Sequence, residues 1–222
     1  MDFCFNCGRP ADTRDHVPPK GVFPRPRPTT LITVPACKTC NELTKLQDEY
    51  FRWLVATVGD ATPEAVKLIG QRILPRFREK PALLREIMKG ARQVDVYSPG
   101  GIWVGREPAF EYDRGRIQPV VEKTVKGLYF HEFGQRLEMA VVKDFVLNPK
   151  IPEENIPAVA GLPLRDVAPG VFGYRFYCDP NEKRASLWLL MFFEKTLFFT
   201  ITEQNADGNE KGDVDQNYQN CY

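Results

Sequence analysis

Apolar positions along this 222-residue chain change period several times, and each change predicts an element. Residues 1 to 40 hold no sustained period: Gly8, Pro10, Pro18, Pro19, Gly21 and the run from Pro24 to Pro28 leave little room for helix. Within them, Leu31-Ile32-Thr33-Val34 reads as a short strand. From Asn41, the residues Leu43, Leu46, Tyr50, Trp53 and Leu54 recur at three- and four-residue intervals, predicting an amphipathic helix. Thr62-Pro63 is a helix start, a capping hydroxyl followed by proline in the first turn, and two helices are expected between Thr62 and Lys89, broken near Pro75 and Pro81. Gln93 to Val104 reads as extended chain on either side of a Ser98-Pro-Gly-Gly101 turn. Ile117, Val120, Val121, Thr124, Leu128 and Tyr129 fall on one helical face that Gly134 terminates. Strand-like alternation follows over Val141 to Leu147, Val171 to Cys178 and Leu187 to Ile201, the last with a turn near Glu194-Lys195. A proline-rich connection runs from Pro149 to Pro169, and the polar residues after Glu203 are expected to be disordered.

These elements predict an α+β chain. A small cysteine-organised module at residues 1–58 is followed by a basic helical segment at 59–92, a mixed helix and antiparallel-sheet domain at 93–203, and a polar tail at 204–222. The longest apolar run, Leu187 to Phe193, is far short of the roughly 20 residues a membrane span needs. Met1-Asp2-Phe3-Cys4 lacks the basic and apolar regions of a signal peptide, so a soluble cytoplasmic protein is expected. A formal charge of +1 gives no global attraction to nucleic acid. Locally, Lys67 to Arg92 places eight cations against two anions, a charge of +6, either a solvated helix face or a surface for backbone phosphates.

Chemistry concentrates near the N-terminus. Cys4-Phe-Asn-Cys7 and Cys37-Lys-Thr-Cys40 are two Cys-x-x-Cys pairs, and four thiolates in that pattern make a closed tetrahedral zinc site. Disulfides or a redox pair are the alternatives, although a redox pair leaves the second pair unexplained. Cys178 and Cys221 have no metal-ligand residue nearby in sequence and read as ordinary thiols. Between the two pairs lies Asp15-His16-Val-Pro-Pro19, and Asn41 follows Cys40 directly.

That order, two cysteine pairs bracketing an acid-His on a strand and closing on Asn at a helix, resembles the HNH endonuclease family of zinc-stapled ββα-metal nucleases. The resemblance covers residues 1 to about 55. It implies that His16 is the general base for phosphodiester hydrolysis and that Asp15 and Asn41 hold a catalytic Mg²⁺ or Mn²⁺. It further implies products with a 5′ phosphate and a 3′ hydroxyl, and a nucleic-acid partner, DNA before RNA. The chain departs from the family at the central Asn, where it has Thr29-Thr30, and a hydroxyl lacks an amide's simultaneous donor and acceptor. The residue types suit the chemistry. A neutral imidazole is a competent base near pH 7, and a hard dication suits oxygen ligands and stabilises extra charge on phosphorus.

Lys20 and Lys45, with Arg72, Arg76 and Arg78 of the basic segment, are candidate phosphate contacts. Each residue also has a plainer use: Asn41 as a helix cap, His16 as half of a surface pair, the cations as solvated surface. His131, at the end of the 117–134 helix, reads as a packed or capping residue, and Trp103, Trp188, Phe192, Phe193, Phe198 and Phe199 read as core. The principal rival to the enzyme is a zinc module that binds nucleic acid or a protein partner without cleavage.

Overall fold

The computed structural model describes residues 2–137, 141–149, 151, 153–178 and 185–203. The predicted tail and Cys221 lie outside them. The chain is mixed α+β, with antiparallel sheets throughout. A short hairpin comes first: β1 (Thr13–His16) pairs with β2 (Thr33–Ala36), Thr13 opposite Ala36 and His16 opposite Thr33. The strand expected at Leu31–Val34 thus lies two residues later. A helix α1 (Lys38–Glu42) opens directly after Cys37, and α2 (Lys45–Thr57) follows. The break between them falls at Thr44, which is buried, while Leu43 and Leu46 are exposed. Only the later members of the predicted apolar face, Tyr50, Trp53 and Leu54, enter the core.

Thr62 caps α3 (Pro63–Leu68), its hydroxyl accepting from the Ala65 amide at 3.3 Å. Pro75 does not break the chain as expected. A π turn over Ile69–Ile73 precedes α4 (Leu74–Glu79), so the Leu74 amide reaches back to the Ile69 carbonyl and proline enters at the start of a new α segment. The break comes at Lys80, whose φ of −128° and ψ of 75° leave the helical region ahead of Pro81, which starts α5 (Pro81–Met88). The hairpin of β3 (Ala91–Tyr97) and β4 (Trp103–Phe110) stands out from the body; Trp103, expected in the core, is 56% exposed.

Helix α6 (Arg114–Phe133) begins at an Asp113 cap and ends at Gly134, whose φ of 64° suits glycine. The largest sheet orders β5 (Val141–Leu147), β9 (Thr196–Glu203), β8 (Ser186–Phe192), β7 (Phe172–Cys178) and β6 (Arg165–Ala168) side by side. A short helix, α7 (Ile156–Gly161), lies in the connection between β5 and β6. The predicted turn is the β8–β9 hairpin, with Phe193 and Glu194 both at positive φ. Phe193 is fully buried, and its packing offsets that unfavourable backbone.

One hydrophobic core runs from Phe5 between the first two cysteines and Val17 and Val34 of the first hairpin, through Phe51 of α2 and Val120 of α6, to Phe192 and Phe198 of the sheet. Phe51 meets Phe192 edge-on at 5.3 Å and stacks on Phe198 at 5.5 Å. Lys195 and Thr196 donate to the Ala56 and Val55 carbonyls, closing the last turn of α2 with the sheet's own hairpin. Gly127 lets the first hairpin approach α6, since a Cβ there would lie 2.5 Å from a Val17 methyl. No helix among the described residues is long and apolar enough to cross a membrane.

Candidate metal centre and cleft

The sulfurs of Cys4, Cys7, Cys37 and Cys40 all lie within 4.8 Å of one another, and Cys7 and Cys37 are 3.7 Å apart. Zn–S bonds of about 2.3 Å in a tetrahedron require sulfurs about 3.8 Å apart, so the donor set fits zinc in identity, number and spacing. None of the five described cysteines is in a disulfide. A tight turn presents the first pair, the Gly8 amide donating to the Cys4 carbonyl. Cys37 and Cys40 come from the first turn of α1. Asn6 donates to Cys40 Sγ at 3.5 Å and Arg9 to Cys7 Sγ at 3.4 Å, contacts that favour thiolate. Hydrogen bonding from Cys40 holds the Cys4 thiol down to about 4, whereas Cys4 pushes Cys40 far up. Such a proton contest is the cost of crowding four thiols, and a bound dication removes it by stabilising every thiolate.

Beside this cluster, β1, the 3₁₀ turn at Lys20–Val22, α1 and α2 enclose a cleft of about 320 Å³, lined among others by His16, Lys20, Asn41, Lys45, Asp48 and Arg52. Strand alternation sends Asp15 and His16 to opposite faces of the hairpin. Asp15, 7% exposed, turns inward. Its Oδ1 accepts from the His16 amide at 2.8 Å, and its Oδ2 lies 2.6 Å from Lys123 Nζ of α6, a charge contact rather than an aligned hydrogen bond. Lys123, equally buried, also donates to the Asn41 carbonyl at 3.3 Å and to Thr44 Oγ1 at 3.1 Å. A lysine from outside the cysteine module thus bridges β1, α1 and the start of α2.

His16 is half-buried at the cleft wall. Burial first, and then Lys20, lower its imidazole below the ordinary value, with Asp15 pulling the other way. The base is accordingly neutral near pH 7. Asn41 sits inside α1 and does not cap it; its amide nitrogen donates to Thr13 Oγ1 and the Arg14 carbonyl, both at 3.2 Å, which orients the amide. Asp48 faces the same cleft with a buried Oδ1 that has no hydrogen-bond partner. Burial raises its carboxyl above the usual range, against the pull of Lys123. For a hard dication, then, the cleft offers the orphaned oxygen of Asp48 and an oriented Asn41 amide, while Lys123 already neutralises Asp15. Among the described residues, the four cysteines alone bring three or more Cys, His or acidic donor atoms together.

The structure brings Asp15, His16, Asn41, Lys20 and Lys45 to one cleft, with Asp15 paired to Lys123 at its wall. Thr30 lines a different cavity, with His131, Arg165 and Tyr174, so it does not stand in for a central Asn beside His16. His131 is exposed there instead of packed. Arg76 is held by Glu49 and Glu79, Arg78 is exposed on α4, and Arg72 lines a second cavity beside Arg52. Sequence reasoning gave no site role to Lys123, Asp48 or Arg52. Lys123 left a usable trace, a cation one helical turn from Val120 and Gly127 on the buried face of α6.

Removing one partner of a buried ion pair leaves the other charged and unsolvated. Lys123→Met is therefore expected to lower unfolding stability by about 3–5 kcal/mol, read from the urea midpoint at pH 7. A loss under about 1 kcal/mol would show that the pair does not hold the module to α6.

Compared with protein-family models, curated proteins and solved structures, the chain matches none.

Proposed function

We propose that this chain is a zinc-stapled endonuclease of the HNH type, with a ββα-metal module at residues 1–58, acting on nucleic acid in the cytoplasm, on DNA in preference to RNA. The observation that carries the reading is the single cleft in which a neutral His16 faces an oriented Asn41 beside a four-cysteine cluster, rimmed by Lys20 and Lys45. His16 takes the proton from the attacking water. The Asn41 amide oxygen and the Asp48 carboxylate would hold Mg²⁺ or Mn²⁺, which would supply Lewis-acid stabilisation of the crowded phosphate and its leaving oxygen, and Asp15 would join them only by giving up its contact with Lys123. Lys20 and Lys45 neutralise flanking phosphates. Lys123 fixes Asp15 and, through the Asn41 carbonyl, the start of the α1–α2 corner.

The second reading, a nucleic-acid-binding module without catalysis, draws support from the same lysine, because an ammonium on Asp15 competes with a dication. Incubation of the protein with plasmid, single-stranded DNA and RNA separates the two. The nuclease reading expects cleavage with Mg²⁺ or Mn²⁺ that EDTA stops. Binding without cleavage under every divalent ion tested would put the module reading in its place.

A further inference from the structure

Arg52 sits on α2, four residues after Asp48, and lines both the cleft and a second cavity of about 320 Å³ next to it. Its guanidinium packs against Gly21. A Cβ there would fall 2.2 Å from Nη2 and 2.8 Å from Nε, so this glycine makes room for the arginine. Arg72, from the π turn, lines the second cavity as well. Its neighbour Gln71 clamps the proline-rich loop: Gln71 Oε1 accepts from the Arg25 amide at 2.7 Å, and Nε2 donates to the Arg25 carbonyl at 2.9 Å. That clamp brings the positive charge of Arg25 up to Arg72.

Two of these side chains carry a donor atom that is left over. The Nε atoms of Arg52 and Arg72 are both buried without a hydrogen-bond partner. The nearby carboxylate of Glu49 is taken by Arg76, which Glu79 holds from its other side. A buried N–H without an acceptor costs about 1–3 kcal/mol, more when charged, so the fold tolerates two such groups at a cost that an anion would relieve. Burial lowers both guanidinium groups from their ordinary value; Glu49 and Asp48 pull Arg52 the other way, whereas Arg25 lowers Arg72 further, an effect that a phosphate would reverse. A planar guanidinium donates in parallel to two phosphate oxygens, which a lysine cannot match.

We propose that Arg52 and Arg72 form a built phosphate site beside the cleft, which holds a backbone phosphate of the nucleic-acid strand next to the one facing His16. The assignment rests on the nuclease reading for the identity of the ligand, although not for the geometry of the site. Only Arg52 touches both cavities, so it sets the path from one phosphate to the next.

The test is binding of a fluorescein-labelled single-stranded DNA 12-mer to the zinc-loaded protein without added Mg²⁺ or Mn²⁺, by anisotropy, from about 50 to 300 mM salt. Arg52→Gln and Arg72→Gln are each expected to weaken binding at least about tenfold, the worth of a charged hydrogen bond. Each should flatten the slope of log affinity against log salt by about 0.7 unit, the value for one contact to a single strand. Gly21→Ala, which displaces the guanidinium while keeping its charge, should weaken binding without removing a cation. Arg72→Gln carries the test if Arg52→Gln fails to fold. Wild-type affinity and slope in Arg72→Gln would overturn the site. If the wild type cuts and the arginine variants bind as it does, the inference fails and the nuclease reading stands. If the wild type never cuts but the variants lose binding, the reverse holds. A wild type that binds no strand at low salt removes both.

Discussion

Cys37→Ser is expected to abolish zinc binding and unfold the N-terminal module while leaving the large sheet folded. Four converging sulfurs account for about one zinc per chain, and metal binding of this kind contributes on the order of 10 kcal/mol of coupled folding energy. The loss should centre on the module, because it is the part of the shared core with the least secondary structure of its own. Residues 2 to 42 contain only a hairpin of two four-residue strands, a three-residue 3₁₀ turn and a five-residue helix, none of which is stable alone. The sheet has its own aromatic packing, with Trp188 stacked on Phe176 at 4.8 Å and Phe172 against Phe192 at 4.8 Å. Amide hydrogen exchange is the suitable measurement. Protection should vanish at Cys4, Phe5, Val17 and Asn41, whose amides donate within the module, and persist in β7 and β8. Full retention of module protection in a metal-free variant would mean that packing against α6 suffices and that zinc does not set the position of His16.

The elements whose information is local were readable in advance. Gly134 closes α6 because only a left-handed residue ends a helix that way, and Thr62-Pro63 opens α3 because one hydroxyl and one missing N–H settle a first turn. The cysteine cluster was readable for the same reason, each pair being a local loop even though the two pairs are far apart in the chain. What stayed hidden depends on tertiary contact. Lys123 becomes important only when α6 crosses the β1–α1 corner, and nothing in the spacing of Asp15 names its partner. Arg52 looks like any solvated arginine until Gly21 and the π turn close around it. Trp103 was misplaced for the opposite reason: its strand has the period of a half-buried sheet, but its one partner strand leaves that face open.

His16→Ala is expected to keep zinc and strand binding and to lose cleavage by about two to four orders of magnitude, the usual scale for removing a general base. The folded state should tolerate the change, since His16 is outside the sulfur cluster and only half-buried. The pH dependence gives a second readout with a definite sign. Burial and Lys20 disfavour the imidazolium, so the folded protein binds this proton less tightly than the unfolded chain. The rate should therefore rise with pH through a value below the ordinary 6.5 and flatten before neutrality. The same group costs stability as pH falls from 6.5 toward its folded value, where the unfolded chain takes up the proton first. Lys20→Gln removes one of the two causes, and it should move the acid limb of the rate profile upward while leaving the plateau rate less affected than the His16 variant. Asp48→Asn complements it, because Asp48 offers an orphaned oxygen to a dication but no contact to His16 through any hydrogen bond seen here. It should raise the Mg²⁺ or Mn²⁺ concentration needed for half-maximal cleavage without shifting the acid limb. A His16→Ala protein that cuts as fast as wild type would assign the base to another group, and a wild type that binds DNA but cuts nothing would leave the module as a binding surface.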